Sequence, residues 1–460
     1  MWIRGGLVVT AEECFPADIG IEEGRIAQVG SPQRETGTQV VDAQGKWILP
    51  GIVDVHTHME LPLEAAVSAD DFATGTRAAA CGGVTTIIDF SLHRRGDSLE
   101  KCFLDRRQAA DGRVAVDYGL HAEIIDVNEA ILDEIPHMVQ KGVTSFKLYM
   151  AYRRDGRMVD DGALYAVLKR AGEVGGLVMV HAENGPLLER LTDELLGDEK
   201  LAPIFHARSR PNVVEEEAVR RAIAICRLAK GNLYIVHLTT RQALMAVQEA
   251  RSSALPLWAE TCPQYLLLDE SAYLSQEGRD FIATPPLRSS KDQEALWRGL
   301  AQGTISVIST DHCPFTKEQK RQGGESFAQV PNGLPGVETS LPLIYSQGVD
   351  RGRLTPNRLV MAMATNPAKI FGLYPAKGSL EVGTDADVVI FDPQAEFTIS
   401  AETLHMNTDF SPYEGLQGRG VVQLTVLRGE VIAENGRFCG SCGGGRFLPR
   451  RRFEPQQCQL

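Results

Sequence analysis

The sequence predicts an α/β protein in which a (β/α)8 barrel, or TIM barrel, carries a small β-sandwich domain built from both chain termini. Two patterns predict this fold class. Short apolar runs alternate with longer amphipathic segments through the middle of the chain, and β-rich segments of similar composition stand at its two ends. About eight apolar runs occur, which is the number of strands that closes such a barrel. A doubly wound open sheet is the alternative, because periodicity alone does not separate the two.

The two ends of the chain share a strand pattern. Near the N-terminus, short segments rich in Ile and Val are broken at glycines: WIRGGLVVT, DIGIEEGRIAQVG and QVVDAQGKWILPG. The pattern returns near the C-terminus in GSLEVGTDADVVIFDP and VVQLTVLRGEVIAENGRF. Residues 1–50 and 371–440 are therefore expected to form one small domain, followed by a C-terminal tail over 441–460. We expect the three arginines at 450–452 in that tail to be solvated.

Residues 51–370 are expected to form the barrel. The apolar runs that we interpret as its strands are GIVDVHTH, VTTIIDFS, AVDYGLHA, SFKLYMAY, LVMVHAEN, NLYIVHLT, PLWAETCP and ISVISTDH. Helical patterns lie between them, among them ADDFATGTRAAACG, ALYAVLKRAGEVGG, EEEAVRRAIAICRLAKG and RQALMAVQEARSS. Strands that alternate with helices form parallel sheets, and in a closed parallel barrel the functional residues lie at the C-terminal ends of the strands.

Composition and charge narrow the function classes. The 460 residues are 43% hydrophobic and 23% charged, and the formal net charge of -13 argues against a nucleic-acid surface. No run of about 18 apolar residues is present to span a bilayer, and the N-terminus lacks the pattern of a signal peptide. A cytoplasmic protein without nucleic-acid or membrane partners is expected. The nine cysteines are an odd, scattered set, and the CxxC at Cys439 and Cys442 is a weak metal or redox motif that more simply indicates a flexible loop.

Four histidines and one aspartate stand where apolar runs end. His56 and His58 are two positions apart in the first run, so both imidazoles lie on one face of a strand. His181, His237 and Asp311 stand at the ends of the fifth, sixth and eighth runs. Two metal ions fit this set better than one, because a single zinc ion takes only three or four protein ligands. Solvated or core histidines are the alternative for each residue taken alone.

Lys147, in the fourth run, is a candidate bridge between two ions. A lysine ammonium has no lone pair with which to bind a metal. Burial beside cations favours the free amine, which can add carbon dioxide to form a carbamate with two oxygens, one for each metal. A structural lysine in an ion pair is the alternative.

The chain resembles the hydantoinase and dihydropyrimidinase family, cyclic amidohydrolases of the amidohydrolase superfamily, and especially its D-hydantoinase and phenylhydantoinase members. The resemblance rests on motifs along the whole chain: GIVDVHTHM, CGGVTTIIDF, SFKLYMAY, VMVHAENG, HARSRP, ETCPQYLLLD, STDHCPF, PNGLPGVE and NPAKIFGLYPAKGSLEVGTDADVVIFDP. It implies a (β/α)8 barrel with a small β-sandwich, and a homotetramer or, less often, a dimer.

The resemblance also implies a role for each candidate residue. The implied ligands of two divalent ions, with zinc the expected metal, are His56, His58 and Asp311 for the more buried ion, His181 and His237 for the other, and an N6-carboxylated Lys147 that bridges both. A hydroxide between the ions would attack a ring carbonyl of a hydantoin or dihydropyrimidine. One metal and Tyr152 would stabilise the oxyanion, and Asp311 would carry the proton to the departing ring nitrogen. The product would be an N-carbamoyl amino acid.

Two further positions match segments that bind the substrate amide edge in the family, Thr284 in ATPPLR and Asn332 in PNGLPG. Family members usually carry serine where Thr284 stands. The substituent on the ring is expected to contact loops near Met59, Leu61, Leu92, His93, Tyr149 and Cys313. The apolar and aromatic character of these residues indicates a bulky or apolar substituent.

Other functions are weighed against this one. Scaffold relatives have lost their metal ligands, whereas every ligand position is filled here. Dihydroorotases tend to carry an arginine after the His-x-His pair, where this chain has residues 59–62, MELP. Allantoinases usually lack the KLYMAY form with its tyrosine. A hydrolase of phosphotriesters or exocyclic amides could use the same metals, and only the ureide-binding segments argue against it.

Overall fold

The computed structural model describes residues 1–31, 39–63, 66–322 and 324–458. Within these ranges seventeen strands form two sheets. The N-terminal strands are β1 (Trp2–Val9), β2 (Cys14–Glu22), β3 (Arg25–Val29), β4 (Val40–Asp42) and β5 (Trp47–Pro50). The strands of the barrel region are β6 (Ile52–Thr57), β7 (Val84–Ser91), β8 (Asp117–Glu123), β9 (Ser145–Tyr149), β10 (Leu177–His181), β11 (Leu233–Ile235), β12 (Leu257–Thr261) and β13 (Val307–Ile308). The C-terminal strands are β14 (Val388–Thr398), β15 (Gln417–Leu427), β16 (Glu430–Glu434) and β17 (Arg437–Phe438).

The strands from β6 to β13 form a parallel barrel in chain order, each hydrogen-bonded to the next. The first and last strands meet where Thr57 pairs in parallel with His312. Next to this pair, the carboxylate of Asp54 accepts hydrogen bonds from the amide of Thr310 at 3.1 Å and from its hydroxyl at 2.6 Å. Because the first and last strands are joined, the predicted barrel is confirmed and the open-sheet alternative is excluded.

Helices follow most of the barrel strands. In the described ranges the α-helices are α1 (Phe72–Cys81), α2 (Leu99–Ala110), α3 (Glu129–Gln140), α4 (Asp161–Glu173), α5 (Gly185–Gly197), α6 (Ile204–Arg208), α7 (Asn212–Ala229), α8 (Arg241–Ser252), α9 (Pro263–Leu267), α10 (Ser290–Gln302), α11 (Lys317–Gln322), α12 (Ser340–Ile344), α13 (Pro356–Val360) and α14 (Asn366–Ile370). The four helical patterns quoted from the sequence correspond to α1, α4, α7 and α8. Asp71 and Ser289 begin α1 and α10 with capping boxes. None of the described helices is long and apolar enough to cross a membrane.

The second sheet is built from both ends of the chain. Its strand order is β17, β16, β15, β14, β5, β1, β2, β3, with β4 beside β1. The two ends meet where β5 pairs antiparallel with β14, for example Leu49 with Val389. A buried apolar core that includes Ile3, Ile19 and Val426 supports it. The predicted small domain from both termini is confirmed, and its strands form one continuous sheet.

A buried group of charges ties this sheet to the N-terminal end of the barrel. Lys377 Nζ lies 2.7 Å from carboxylate oxygens of both Asp117 and Asp387, and 3.2 Å from Asp385. The guanidinium of Arg428, which follows β15, also binds Asp117. Asp117 is the first residue of β8. The ionic group therefore lies at the end of the barrel opposite to the C-terminal ends of the strands.

The C-terminal tail packs beneath the barrel, which corrects the prediction of a solvated segment. Arg450 is 3% exposed, and its guanidinium donates to Ser145 Oγ at 2.8 Å and to the Leu120 carbonyl at 2.5 Å. The ring of Phe453 packs edge-on against Trp258, with 4.8 Å between ring centroids. The other two arginines of the 450–452 run are exposed, as expected. Arg450 is buried because the N-terminal mouth of the barrel offers polar acceptors that only a chain segment beneath it can satisfy.

Replacing Arg450 by alanine should lower the free energy of unfolding by about 2 kcal/mol or more, because the buried Ser145 hydroxyl and Leu120 carbonyl each lose a donor. Chemical denaturation would measure the change. Arg452→Ala is the matched control, since that side chain is exposed. Equal stability of the two variants would show that Arg450 does not hold the tail under the barrel.

Candidate metal centre

A cavity of about 1040 Å³ opens at the C-terminal ends of the barrel strands. It is lined by every residue that was predicted to bind metal: His56, His58, Lys147, His181, His237 and Asp311. Tyr149, Tyr152, Thr284 and Asn332 line it as well. The convergence follows from the fold, because parallel strands of a closed barrel direct the residues at their C-terminal ends toward one mouth.

One group of donors joins the first and last strands of the barrel. His56 Nε2 lies 3.3 Å and His58 Nε2 3.1 Å from Asp311 Oδ1. The ligand atoms of these three residues all lie within 4.8 Å of one another, which suits a single metal ion. Asp311 has a φ of 52°. Left-handed backbone at a residue other than glycine is costly and is concentrated at functional sites.

A second pair of imidazoles comes from β10 and from the residue that follows β11 by two. His181 Nδ1 is 2.9 Å from His237 Nε2. The ring centroids of His56 and His237 are 5.6 Å apart, so the two groups of donors are adjacent. His237 also has a positive φ, of 36°. These four histidines and Asp311 form one continuous set of metal-binding groups.

Lys147 is a buried lysine of the same cavity. Its Nζ lies 5.6 Å from the ring centroid of Phe90 and 5.3 Å from that of Tyr149. Within the part of the chain that the structure describes, no carboxylate is within ion-pair distance of this nitrogen. Burial lowers the pKa of Lys147 to about 8. In Lys377, burial acts in the same direction but three aspartates outweigh it and raise the pKa. Of these two buried lysines, Lys147 is therefore the one that can lose its proton near neutral pH.

Burial keeps three of the four histidines of the site, His56, His181 and His237, neutral. It lowers the pKa of His181, and it lowers the pKa values of His56 and His237 well below the usual range. For Asp311 burial favours the neutral acid, but interactions with His56, His58 and Lys147 outweigh it and lower the pKa. Neutral imidazoles and an ionised carboxylate are the forms that bind divalent metals. The donor set therefore fits two divalent ions.

Two glutamates that support the histidines were not predicted. Glu260 on β12 contacts His56 Nδ1 and accepts a hydrogen bond of 3.2 Å from the His237 amide. Glu183 Oε2 lies 2.8 Å from His181 Nε2. A carboxylate that accepts the proton of one ring nitrogen leaves the other nitrogen free to bind a metal. A signal was available in the sequence, because Glu260 ends an apolar run and Glu183 is two residues beyond a histidine.

The residues predicted to bind the substrate meet at the wall of the cavity. Thr284 Oγ1 donates a hydrogen bond of 2.8 Å to Asn332 Oδ1. The ring of Tyr152 lies 4.9 Å from that of His181, centroid to centroid, and its φ is 66°. Burial raises the pKa of the Tyr152 phenol, so this hydroxyl stays protonated and able to donate. A small molecule in the cavity would have hydrogen-bonding groups from all three residues around it.

The residues predicted to contact a ring substituent divide into two groups. Leu61, Tyr149 and Cys313 line the cavity. Met59, Leu92 and His93 are not among its lining residues in the described ranges. Their positions have separate explanations.

Met59 and Leu92 pack against other parts of the fold. Met59 is fully buried, and its sulfur packs over Gly75 of α1. Leu92 packs against the apolar cluster that contains Leu61. His93 is 4% exposed and both of its ring nitrogens bond to backbone groups. In a loop, unlike a strand, the position of a residue in the sequence does not determine where its side chain points. The sequence therefore could not show that Leu61 lines the cavity while these residues do not.

A second group of metal-binding residue types, Cys81, Glu338 and His405, lies elsewhere. Glu338 accepts hydrogen bonds from the His405 amide at 2.6 Å and from its ring Nδ1 at 2.7 Å. Burial raises the pKa of the Cys81 thiol to about 12. In this group a carboxylate is hydrogen-bonded to an imidazole, and a neutral thiol lies beside them. The cysteines of the CxxC motif are free and exposed, as expected of a loop.

Known proteins resemble this chain in both sequence and fold. The amidohydrolase family model matches residues 47–432. The chain belongs to the amidohydrolase family. It is 43% identical to the D-hydantoinase of Geobacillus stearothermophilus over 98% of this chain and 96% of that protein. It is 44% identical to a D-phenylhydantoinase of Escherichia coli over 98% of each. A crystal structure of dihydropyrimidinase from Brevibacillus agri matches with a TM-score of 0.97 and 41% identity over 98% of this chain and 99% of that one. The resemblance to the hydantoinase and dihydropyrimidinase family is confirmed.

Replacing Glu260 by glutamine should weaken metal binding by about 10- to 100-fold, because an amide is a poorer acceptor for the His56 ring proton. Competition with a chromogenic chelator, on protein first stripped of metal, would measure the affinity. Glu215→Gln is the matched control, because this buried glutamate binds Thr239 and Arg288 instead. Equal affinities in the two variants would remove Glu260 from the metal centre.

Proposed function

We propose that the protein hydrolyses the cyclic amide bond of hydantoins and dihydropyrimidines and releases N-carbamoyl amino acids. The observation that carries this proposal is the convergence of four histidines, one carboxylate and one buried lysine in a single cavity. Full-length relatives that are named D-hydantoinase and D-phenylhydantoinase support the same reaction. A homotetramer is proposed on the family resemblance alone, and a monomeric mass in solution would contradict it.

The cavity residues divide between two divalent ions, which we propose to be zinc. The proposed ligands are His56, His58 and Asp311 for one ion and His181 and His237 for the other. Lys147 would bridge them after its amine adds carbon dioxide and releases a proton, which leaves a carbamate anion with two oxygens. The pKa of about 8 favours this addition, because only the free amine has a lone pair. Two such ions lower the pKa of bound water and so supply a nucleophile at neutral pH.

Asp311 is the proposed carrier of the proton, and Tyr152 is the proposed donor to the developing negative charge. The carboxylate of Asp311 is ionised, because His56, His58 and Lys147 outweigh the effect of burial on its pKa. It would accept a proton from the attacking water and give it to the ring nitrogen as the C–N bond breaks. The protonated hydroxyl of Tyr152 would donate to the carbonyl oxygen as negative charge develops there.

The walls of the cavity would orient the ring. Thr284 and Asn332, already joined by a hydrogen bond, would contact the amide edge of the ureide. Leu61, Tyr149 and Cys313 would contact the ring substituent. Their side chains are apolar, aromatic or weakly polar, so we propose a bulky or apolar substituent rather than a charged one.

Purified, metal-loaded protein should open dihydrouracil and several 5-substituted hydantoins, but not allantoin or dihydroorotate, because the residues proposed to contact the substituent carry no charge. Chromatography of the N-carbamoyl products, with both enantiomers of each hydantoin, would measure the reaction. Rates with an apolar substituent should exceed those with a carboxylate substituent. Hydrolysis of allantoin or dihydroorotate without hydrolysis of hydantoins would overturn this proposal.

Two variants should separate the metal bridge from the proton transfer. Lys147→Ala should lose most of the bound metal and all activity, because the carbamate cannot form. Asp311→Asn should retain part of its metal and lose most of its turnover, because the amide oxygen can still bind an ion but cannot carry the proton. Metal analysis, steady-state kinetics and carbon-13 spectra of protein supplied with labelled bicarbonate would measure these changes.

Each variant has an outcome that contradicts its assigned role. Two metals per subunit and full activity in Lys147→Ala would exclude a carbamate bridge. Wild-type turnover in Asp311→Asn would exclude that residue as the proton carrier. Lys169→Ala, on the surface of α4, is the control for general effects of removing a lysine.

A further inference from the structure

Lys320, on α11, is a second buried lysine near the cavity, and it is fully inaccessible to solvent. Its Nζ donates to three backbone carbonyls, those of Ile282 at 2.7 Å, Pro331 at 2.8 Å and Gly333 at 2.8 Å. An ammonium group has three donors, and all three are satisfied here. Burial lowers the pKa of Lys320 to about 7, whereas the three carbonyl acceptors favour its charged form.

The three carbonyls belong to the two segments that carry the proposed ureide contacts. Ile282 lies two residues before Thr284, and Pro331 and Gly333 stand on either side of Asn332. The segments are also joined directly, because the Gly333 amide donates to the Ile282 carbonyl at 3.2 Å. Lys320 therefore lies behind the wall of the cavity at the point where these two segments meet.

A neighbouring side chain from another helix holds one of the same segments. His206, on α6, is 3% exposed and lies with Nε2 at 2.8 Å from the Ala283 carbonyl, which makes this nitrogen the donor. Burial lowers the pKa of His206 to about 3, so its ring is neutral. Residues 282–284 are thus fixed by hydrogen bonds at consecutive carbonyls, one from Lys320 and one from His206.

The contact with Pro331 also affects the backbone N–H of Asn332. The Pro331 carbonyl and the Asn332 N–H belong to one peptide unit, and a strong donor on the carbonyl makes the N–H of that unit more acidic and a better donor. Among the described residues, the Asn332 N–H has no acceptor. Asn332 lines the cavity, where a ureide carbonyl or ring carbonyl is the acceptor that this N–H lacks.

We propose that Lys320 is a positioning residue for substrate binding, which ties residues 282–284 to residues 331–333 so that Thr284 and Asn332 meet the amide edge of the ring together. This inference rests on the proposed function. Lys320 does not touch the substrate. It fixes the spacing of the groups that do, and its hydrogen bond to the Pro331 carbonyl makes the Asn332 N–H a better donor.

The variants Lys320→Met and Lys320→Arg test this role. Methionine keeps the length of the side chain and removes all three donors. Arginine keeps the charge but cannot direct three donors from one nitrogen. In metal-loaded protein, Lys320→Met should raise KM for a hydantoin by at least about tenfold, with a much smaller change in kcat and unchanged metal content. Lys320→Arg should show a smaller rise in KM. Lys317→Met, on the same helix, is the matched control and should behave as the wild type.

Hydrogen–deuterium exchange gives a readout that does not depend on turnover. Peptides that cover 279–284 and 328–334 should exchange faster in Lys320→Met than in Lys317→Met, while peptides from the barrel strands should not change. If Lys320→Met does not fold, the same two measurements on Lys320→Arg decide. Wild-type KM and wild-type exchange in a folded, metal-loaded Lys320 variant would overturn the proposal. A different result would separate this proposal from the proposed function. If Lys320→Met exchanges faster but the wild-type protein opens no cyclic ureide, Lys320 does join the two segments and the proposed function is wrong.

Discussion

The candidate metal centre depends on the closure of the barrel between its first and last strands. The donors of one proposed ion come from both sides of that seam, His56 and His58 from β6 and Asp311 from the turn after β13. The hydrogen bonds from Thr310 to Asp54 join the strands two residues before His56 and one residue before Asp311. In an open sheet these donors would lie at opposite edges. The contact that closes the fold is therefore also the contact that assembles the site.

Three buried lysines have three different kinds of surroundings, and each kind corresponds to a different role. Lys377 pairs with aspartates and joins the small sheet to the barrel. Lys320 is satisfied by carbonyl oxygens and holds two loops together. Lys147 has neither kind of partner among the described residues, and it lies in the cavity with the histidines. Burial lowers its pKa to about 8, and no acceptor among the described residues binds its nitrogen, so the free amine is left able to react.

The sequence predicted the parts of the site that strand periodicity determines. Histidines and an aspartate that end apolar runs must converge once the strands close, so His56 and Asp311 could be assigned to one site before the structure was known. The supporting glutamate Glu260 carried the same signal. Periodicity could not place Met59, because side-chain direction in the loop beyond a strand depends on packing with distant segments such as α1. Nor could it place Arg450, since a run of arginines predicts exposure and the acceptors that bury it come from β8 and β9.

The order of synthesis gives the buried C-terminal tail a consequence of its own. Residues 446–448 run beside β8, and Arg450 fills the space beneath the barrel, yet both leave the ribosome after all the barrel strands. A nascent chain can therefore carry every metal-binding residue while the lower end of its barrel still exposes apolar side chains to water. Such partly covered intermediates are prone to aggregate. Synthesis of residues 446–450 thus completes a barrel whose candidate metal-binding residues are already translated. A chain that stops before residue 446 would carry those residues but lack the segment that covers the lower end of the barrel.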